Sequence, residues 1–341
     1  MRKAIRAGIT TLTFWIFLVA ALVTLTSCAS PAPGSSPEQT IQSSGDQSAA
    51  GQAANPEEVN NSWSSPAFEA ADIMAALLRA YPHRITAIAR RDGDWALQID
   101  QQWLYYANGR FLPEKERRNW QSYDPIPFYR YPKGLPDFVP PSGELREFFE
   151  TLLDNRKSNP PRRHPGLYNA LWQGSDRQST YAQVKSIYFL GHQTQIHRDL
   201  LSVLASVEAE ILAAASQDPA LQAYIDGLAT VSGYYYREIA TTSSLSFHAY
   251  GAAIDLLPQY YNRLSPYWLW ASEHDDQWYD MPYEKRYMLP ETIINIFESH
   301  GFIWGGKWRL FDTIHFEYRP ELLILSGFPL HPQSPAPPRF N

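Results

Sequence analysis

The chain has 341 residues, enough for one large or two small domains around a sizeable core. Its 35 Asp and Glu outnumber 29 Lys and Arg, and the net charge of -6 argues against nucleic acid as a partner, because neutralising phosphates supplies most of that affinity. A single cysteine excludes any disulfide within one chain.

Arg2, Lys3 and Arg6 precede a largely apolar stretch from Ile9 to Leu25, and Leu25-Thr-Ser-Cys28 follows. This start resembles a bacterial lipoprotein signal, an export address over residues 1–27 and no part of the fold. The resemblance implies that Cys28 is lipidated, becomes the mature N-terminus and ties the protein to a membrane. Ala29 and Ser30 after it suggest the outer membrane if the cell has two. The run also approaches the length of a bilayer span, which leaves an uncleaved anchor as the alternative. Both readings place the remainder in the cell envelope, facing away from the cytoplasm. Residues 28–66, rich in Ser, Gln, Gly, Ala and Pro, cannot bury enough surface to offset the entropy of ordering. They are expected to be a flexible tether with a reach of about 30 to 40 Å.

Residues 67–178 read as a small mixed accessory region. Helical periodicity runs from Ala67 to Ala80. Strands are expected over 84–90, 95–100 and 102–112, with turns at Asp92-Gly93 and near Asn108-Gly109, making a β-meander. The proline-rich stretch from Pro125 to Pro141 should be irregular, and a capping signal at Ser142 opens a helix.

Residues 179–325 carry the chemistry, and 326–341 form a tail. A long amphipathic stretch covers Ile196 to Ala215. Further on, Ser246-Phe-His248-Ala-Tyr-Gly251-Ala-Ala253-Ile-Asp255 supplies a histidine and a carboxylate, and Asp312-Thr-Ile-His315-Phe-Glu317 supplies a second histidine with an acid three positions before it. Two imidazoles and one carboxylate leave the fourth position of a tetrahedral zinc open, the mark of a catalytic site. The run from Ala252 to Leu257 reads as a buried strand entered through a turn at Gly251. Gly301 to Phe311 reads as a turn into another strand with Asp312 and His315 near its end, and their spacing requires a bend there.

The patterns S-x-H-x-x-G-x-A-x-D and G-G-x-W-x-x-x-D-x-x-H-F-E, from Ser246 and Gly305 respectively, resemble those of the D-alanyl-D-alanine carboxypeptidase (VanY-like) zinc peptidases, a family that includes L-alanyl-D-glutamate endopeptidases. The resemblance covers roughly residues 180 to 322. It implies one zinc held by His248, Asp255 and His315, with Asp312 as the general base. It also implies that Arg237 holds a carboxylate or carbonyl of the substrate and that Ser246 hydrogen-bonds the same peptide end. Arg237 could instead pair with Glu238. Glu317 is either an acceptor that orients an imidazole or a strand-surface carboxylate.

The remaining histidines have plainer readings. His83, His164, His192 and His197 taken singly are satisfied structural residues, and His300 before Gly301 is a cation at a helix C-terminus. His274 among Glu273, Asp275 and Asp276 reads as a solvated loop or a second metal site. Tyr234 to Tyr236 and Tyr267 to Trp270 either fill the core or wall a cleft.

The expectation is an α+β protein: an antiparallel sheet with flanking helices carries a zinc cleft, beside the small N-terminal β/α region. Its function would be zinc-dependent hydrolysis of peptidoglycan stem peptides, as a D-alanyl-D-alanine carboxypeptidase. An L-alanyl-D-glutamate endopeptidase and a non-catalytic zinc-bearing cell-wall binding module are the alternatives.

Overall fold

A computed structural model describes residues 68–331. The expected signal segment, Cys28, the tether and the end of the tail lie outside the described residues. Among those described, no helix is long and apolar enough to cross a membrane.

Helix α1 (Ala70–Ala80) buries Ile73, Met74, Ala76, Leu77 and Ala80, the stripe that a 3.6-residue period places on one side. The expected meander follows as four antiparallel strands in chain order, β1 (Ile85–Arg91), β2 (Asp94–Ile99), β3 (Gln102–Ala107) and β4 (Arg110–Pro113). Its turns use left-handed backbone at Asp92-Gly93 and Asn108-Gly109, the geometry that tight hairpins require. No strand or α-helix occupies Pro125 to Pro141, and α2 (Glu144–Ser158) begins after Gly143.

Two short helices, α3 (Gly166–Leu171) and α4 (Arg177–Tyr181), lead to a hairpin of β5 (Val184–Phe189) and β6 (His192–His197). The hairpin shortens the helix expected from Ile196. Ile196 and His197 end β6, and α5 (Leu201–Ala215) starts only after a short 3-10 turn. The difference has a local cause: Ile196 and His197 are fully enclosed, and the His197 backbone N–H is held by Gly251 O at 2.9 Å, so neither residue is free to enter a helix.

The second four-stranded sheet is antiparallel with order β7-β8-β10-β9, built from β7 (Leu228–Ser232), β8 (Ala253–Pro258), β9 (Phe302–Trp304) and β10 (His315–Tyr318). Helix α6 (Pro219–Asp226) precedes it. Helices α7 (Trp268–Ser272) and α8 (Glu291–Ser299) connect its strands, and α9 (Pro320–Leu325) follows the last. The stretch after Gly301 is therefore two strands rather than one. Gly305 and Gly306 break the run with a 3-10 turn over which the Trp304 ring lies; a Cβ on Gly306 would sit 2.1 Å from that indole. The Trp304 ring N–H then donates to Thr313 O at 2.7 Å, which fixes the bend ahead of His315.

Mixed α and β structure with antiparallel sheets and flanking helices is the architecture. One apolar core joins its parts, running from Ile73 and Leu77 through Leu204 and Ile254 to Phe297 and Phe316, whose rings stack at 4.0 Å. Tyr81 at the end of α1 donates to Glu321 in α9 at 2.9 Å.

Gly251 shows how tightly β8 is delivered. Its φ is +68°, and a Cβ there would meet His197 N at 2.7 Å and Val184 Cγ1 at 2.8 Å. Left-handed backbone and overpacking each cost about 1 kcal/mol or more. Gly251→Ala should therefore lower stability by about 2 kcal/mol or more, read as an earlier midpoint in urea unfolding.

Candidate metal centre

Register sets the first two donors. Asp255 on the inner strand β8 lies directly opposite His315 on β10, and opposite Ser232 on β7. Directly opposed residues share a face, so the carboxylate and the imidazole emerge side by side. The third donor comes from the turn before β8. Ser246 Oγ accepts from the His248 N–H at 3.3 Å and caps a 3-10 turn over Phe247–Tyr250, which Gly251 closes. That turn brings His248 over the start of the sheet.

Three atoms then converge. His248 Nε2 lies 3.1 Å from Asp255 Oδ1 and 3.1 Å from His315 Nδ1, and His315 Nδ1 lies 2.9 Å from Asp255 Oδ1. The outward atoms of both rings are engaged. His248 Nδ1 is 2.5 Å from Gly233 O, so that nitrogen carries the proton and donates it. His315 Nε2 faces Glu317 Oε2 at 3.4 Å. Once both rings donate outward, the facing nitrogens bring lone pairs to the carboxylate oxygen, and no proton remains to hold the three together. A cation among them removes the conflict. Donors about 2.0 to 2.2 Å from a tetrahedral zinc stand roughly 3.3 Å apart, close to this spacing. The donor set therefore fits zinc.

Surrounding groups support the same assignment. Glu317 is the acceptor that orients His315, and Arg319 holds Glu317 at 3.4 Å and pairs with Glu321. Burial opposes charge on Glu317, but His315 and Arg319 prevail and hold its pKa below the usual glutamate value. For Asp255 burial is again the opposing effect, outweighed by His248 and His315, which keep it ionised. Burial likewise resists an imidazolium at His315, yet hydrogen bonds to Asp255 and Glu317 raise its pKa to about 10 in the protein alone. Protonation is thus the protein's own relief of the crowding, and a metal would replace that proton.

Asp312 lies outside the triangle. Its backbone N–H donates to Gly305 O at 3.0 Å and its backbone pairs with Tyr267, while Oδ1 is enclosed without a hydrogen-bond partner among the described residues. Burial pushes its pKa up to about 7, with His315 and Arg237 opposing and Asp255 adding to the rise. Asp255, Asp312, His315, Arg237 and Ser246 all line one cleft of about 370 Å³, a size suited to a small ligand or a peptide end. Arg237 is exposed; it donates to the backbone oxygen of Glu238 at 3.3 Å and makes no ion pair with that carboxylate. Tyr267, Trp268 and Trp270 wall the cleft, whereas Tyr234 to Tyr236 are not among its lining residues.

The other histidines divide as follows. His197 is enclosed against Trp172 O at 3.1 Å, and His164 pairs with Glu116 at 3.1 Å. His274 joins no donor cluster among the described residues, while His300, Glu210 and His331 form a second, more exposed one. His300 and Glu210 are also an ion pair at 2.9 Å, and the reading of His300 as a helix-end cation leaves His331 out of view. Arg156, Tyr129 and Tyr168 reach the cleft from well before the two motifs.

Residues 240–318 match the family model described as D-alanyl-D-alanine carboxypeptidase. Residues 73–128 match a domain of unknown function. No curated protein and no solved structure matches the chain. The first match supports a hydrolase of the metallopeptidase class, and the His/Asp/His group is a site that could hold its metal.

Purified protein is expected to hold one zinc in this triangle. His248→Ala, Asp255→Ala and His315→Ala should each remove that equivalent, and Glu317→Gln should weaken zinc about 10-fold to 100-fold by loosening the His315 ring. Competition with a chromophoric chelator measures both effects.

Proposed function

We propose that the protein is a zinc-dependent peptidase that hydrolyses peptidoglycan stem peptides, acting as a D-alanyl-D-alanine carboxypeptidase. The observation that carries this reading is the meeting of His248, Asp255 and His315 in one triangle, with Asp312 and Arg237 on the same cleft. The family match over residues 240–318 supports the substrate class.

A zinc ion held by the triangle supplies Lewis-acid polarisation and makes water more acidic. The remaining steps belong to the chain. Asp312, whose Oδ1 has no hydrogen-bond partner among the described residues and whose proton affinity burial brings near neutrality, takes a proton from the attacking water and returns it to the departing amine. Arg237 is an exposed planar fork on the cleft wall, suited to a bidentate hold on a carboxylate. The Ser246 hydroxyl is engaged as the cap of the His248 turn and also lines the cleft, so it acts at the same end. Trp268 and Trp270 give the cleft an apolar wall that limits water.

The lipoprotein-like start extends the proposal to location: Cys28 would be lipidated, and the enzyme would work in the cell envelope on nearby wall. Cys28→Ser should shift the protein from the membrane fraction to the soluble fraction and abolish labelling by radioactive palmitate.

Digestion of purified muropeptides followed by mass spectrometry tests the activity. Release of free D-alanine is expected, and cleavage beside the sugar-proximal alanine would instead assign an endopeptidase. Asp312→Asn should lower kcat by about 10²-fold to 10⁴-fold with zinc retained. Zinc-loaded protein that cleaves no fragment, and binds wall peptides equally well as Asp312→Asn, would be a binding module.

A further inference from the structure

The last turn of α2 reaches the cleft from outside the segment matched to the peptidase family. Arg156 in that turn is only 5% exposed, yet it lines the same cavity as Asp255, Asp312 and His315. Its one side-chain hydrogen bond among the described residues runs from Nη1 to Thr241 Oγ1 at 3.0 Å, and its guanidinium lies 5.8 Å from the Trp268 ring centroid. Nε is enclosed with no hydrogen-bond partner, and no carboxylate pairs with Arg156 among the described residues.

Several other buried cations have counter-charges close by. Lys307 meets Glu298 at 2.6 Å, Arg84 pairs with Asp100, and Arg319 with Glu317 and Glu321. Arg286 has no acid among the described residues, but it directs its donors at the carbonyls of Met281 and Trp308. A buried charge left without a counter-charge destabilises the fold. Arg156 is thus a buried cation on the cleft wall with no counter-charge among the described residues. Burial lowers its pKa to about 10, with the Tyr267 phenol opposing, so it stays cationic at neutral pH. Tyr267, Asp312 and Arg237 line the same cleft as Arg156.

We propose that Arg156 is a second carboxylate-binding residue of the cleft, so that the preferred substrate is a peptide carrying an acidic side chain in addition to its C-terminal carboxylate. This inference rests on the peptidase reading for the identity of the ligand. Arg237 takes the terminal carboxylate, and Arg156 takes the other. Recognition by the exposed Arg237 and the buried Arg156 selects a dianionic peptide end, since a charge-assisted bond to the buried group is worth more than a neutral one.

The test uses full-length zinc-loaded protein and synthetic peptides ending in D-Ala-D-Ala, with glutamate or glutamine placed in turn at each of the two preceding residues. Hydrolysis rates are measured, and binding is measured by calorimetry on Asp312→Asn. The glutamate form at one position should bind about tenfold or more tightly than its glutamine form, expressed in KM rather than kcat. Arg156→Met should erase that preference by weakening only the acidic peptide, and Arg156→Lys should restore part of it. Equal binding of acid and amide forms by unsubstituted protein would overturn the subsite without any variant. An equal loss on both peptides in Arg156→Met would assign Arg156 to packing and overturn it as well. If the acidic peptide binds through Arg156 but nothing is cleaved, the subsite stands and the peptidase reading falls.

Discussion

Three lone pairs brought face to face govern this molecule. Each outward hydrogen bond, from His248 to Gly233 O and from His315 to Glu317, removes a proton that would otherwise let the inner atoms bond to one another. In the protein alone a proton on His315 relieves the crowding, and a cation among the three atoms would take that proton's place. Much of the surrounding structure keeps those outward partners in place. Gly233 must be a glycine in this setting, because a Cβ would fall 2.1 Å from Gln195 O in the neighbouring hairpin. Arg319, in turn, secures Glu317 from behind.

The site was more legible than the frame. His248, Asp255 and His315 stand at fixed offsets from Gly251 and from the Gly305-Gly306 pair, and short-range geometry carries most of their placement. The meander was legible for the same reason, since Asp92-Gly93 and Asn108-Gly109 name their turns. The hairpin of β5 and β6 was not, because Lys185, Ser186 and Tyr188 lie on exposed backbone and give no clear alternation to set against the helix that follows. β7 is only five residues long, and its pairing with β8 exists through long-range contacts. Arg156 belongs to the same class: nothing local to α2 indicates which cavity its side chain borders.

The two matched segments leave much of the cleft wall between and outside them. Tyr129, Arg156 and Tyr168 come from the chain between the meander and the first motif, whereas no residue of β1 to β4 lines the cleft. The meander contributes to the shared core through Leu97, Ile99, Leu104 and Phe111. Most of the cleft lining thus comes from the stretch that also carries the donor triangle, and a smaller part of the wall is added by the chain before it.

The pairing of β8 between β7 and β10 has a wider consequence. Asp255 alternates with Ile254 and Leu256, both wholly enclosed in the core. A slip of one residue would drive the carboxylate into hydrocarbon and turn those aliphatic groups outward. Metal binding at this triangle would therefore double as an inspection of assembly: only a chain whose central strand has docked in step can present the three donor atoms together.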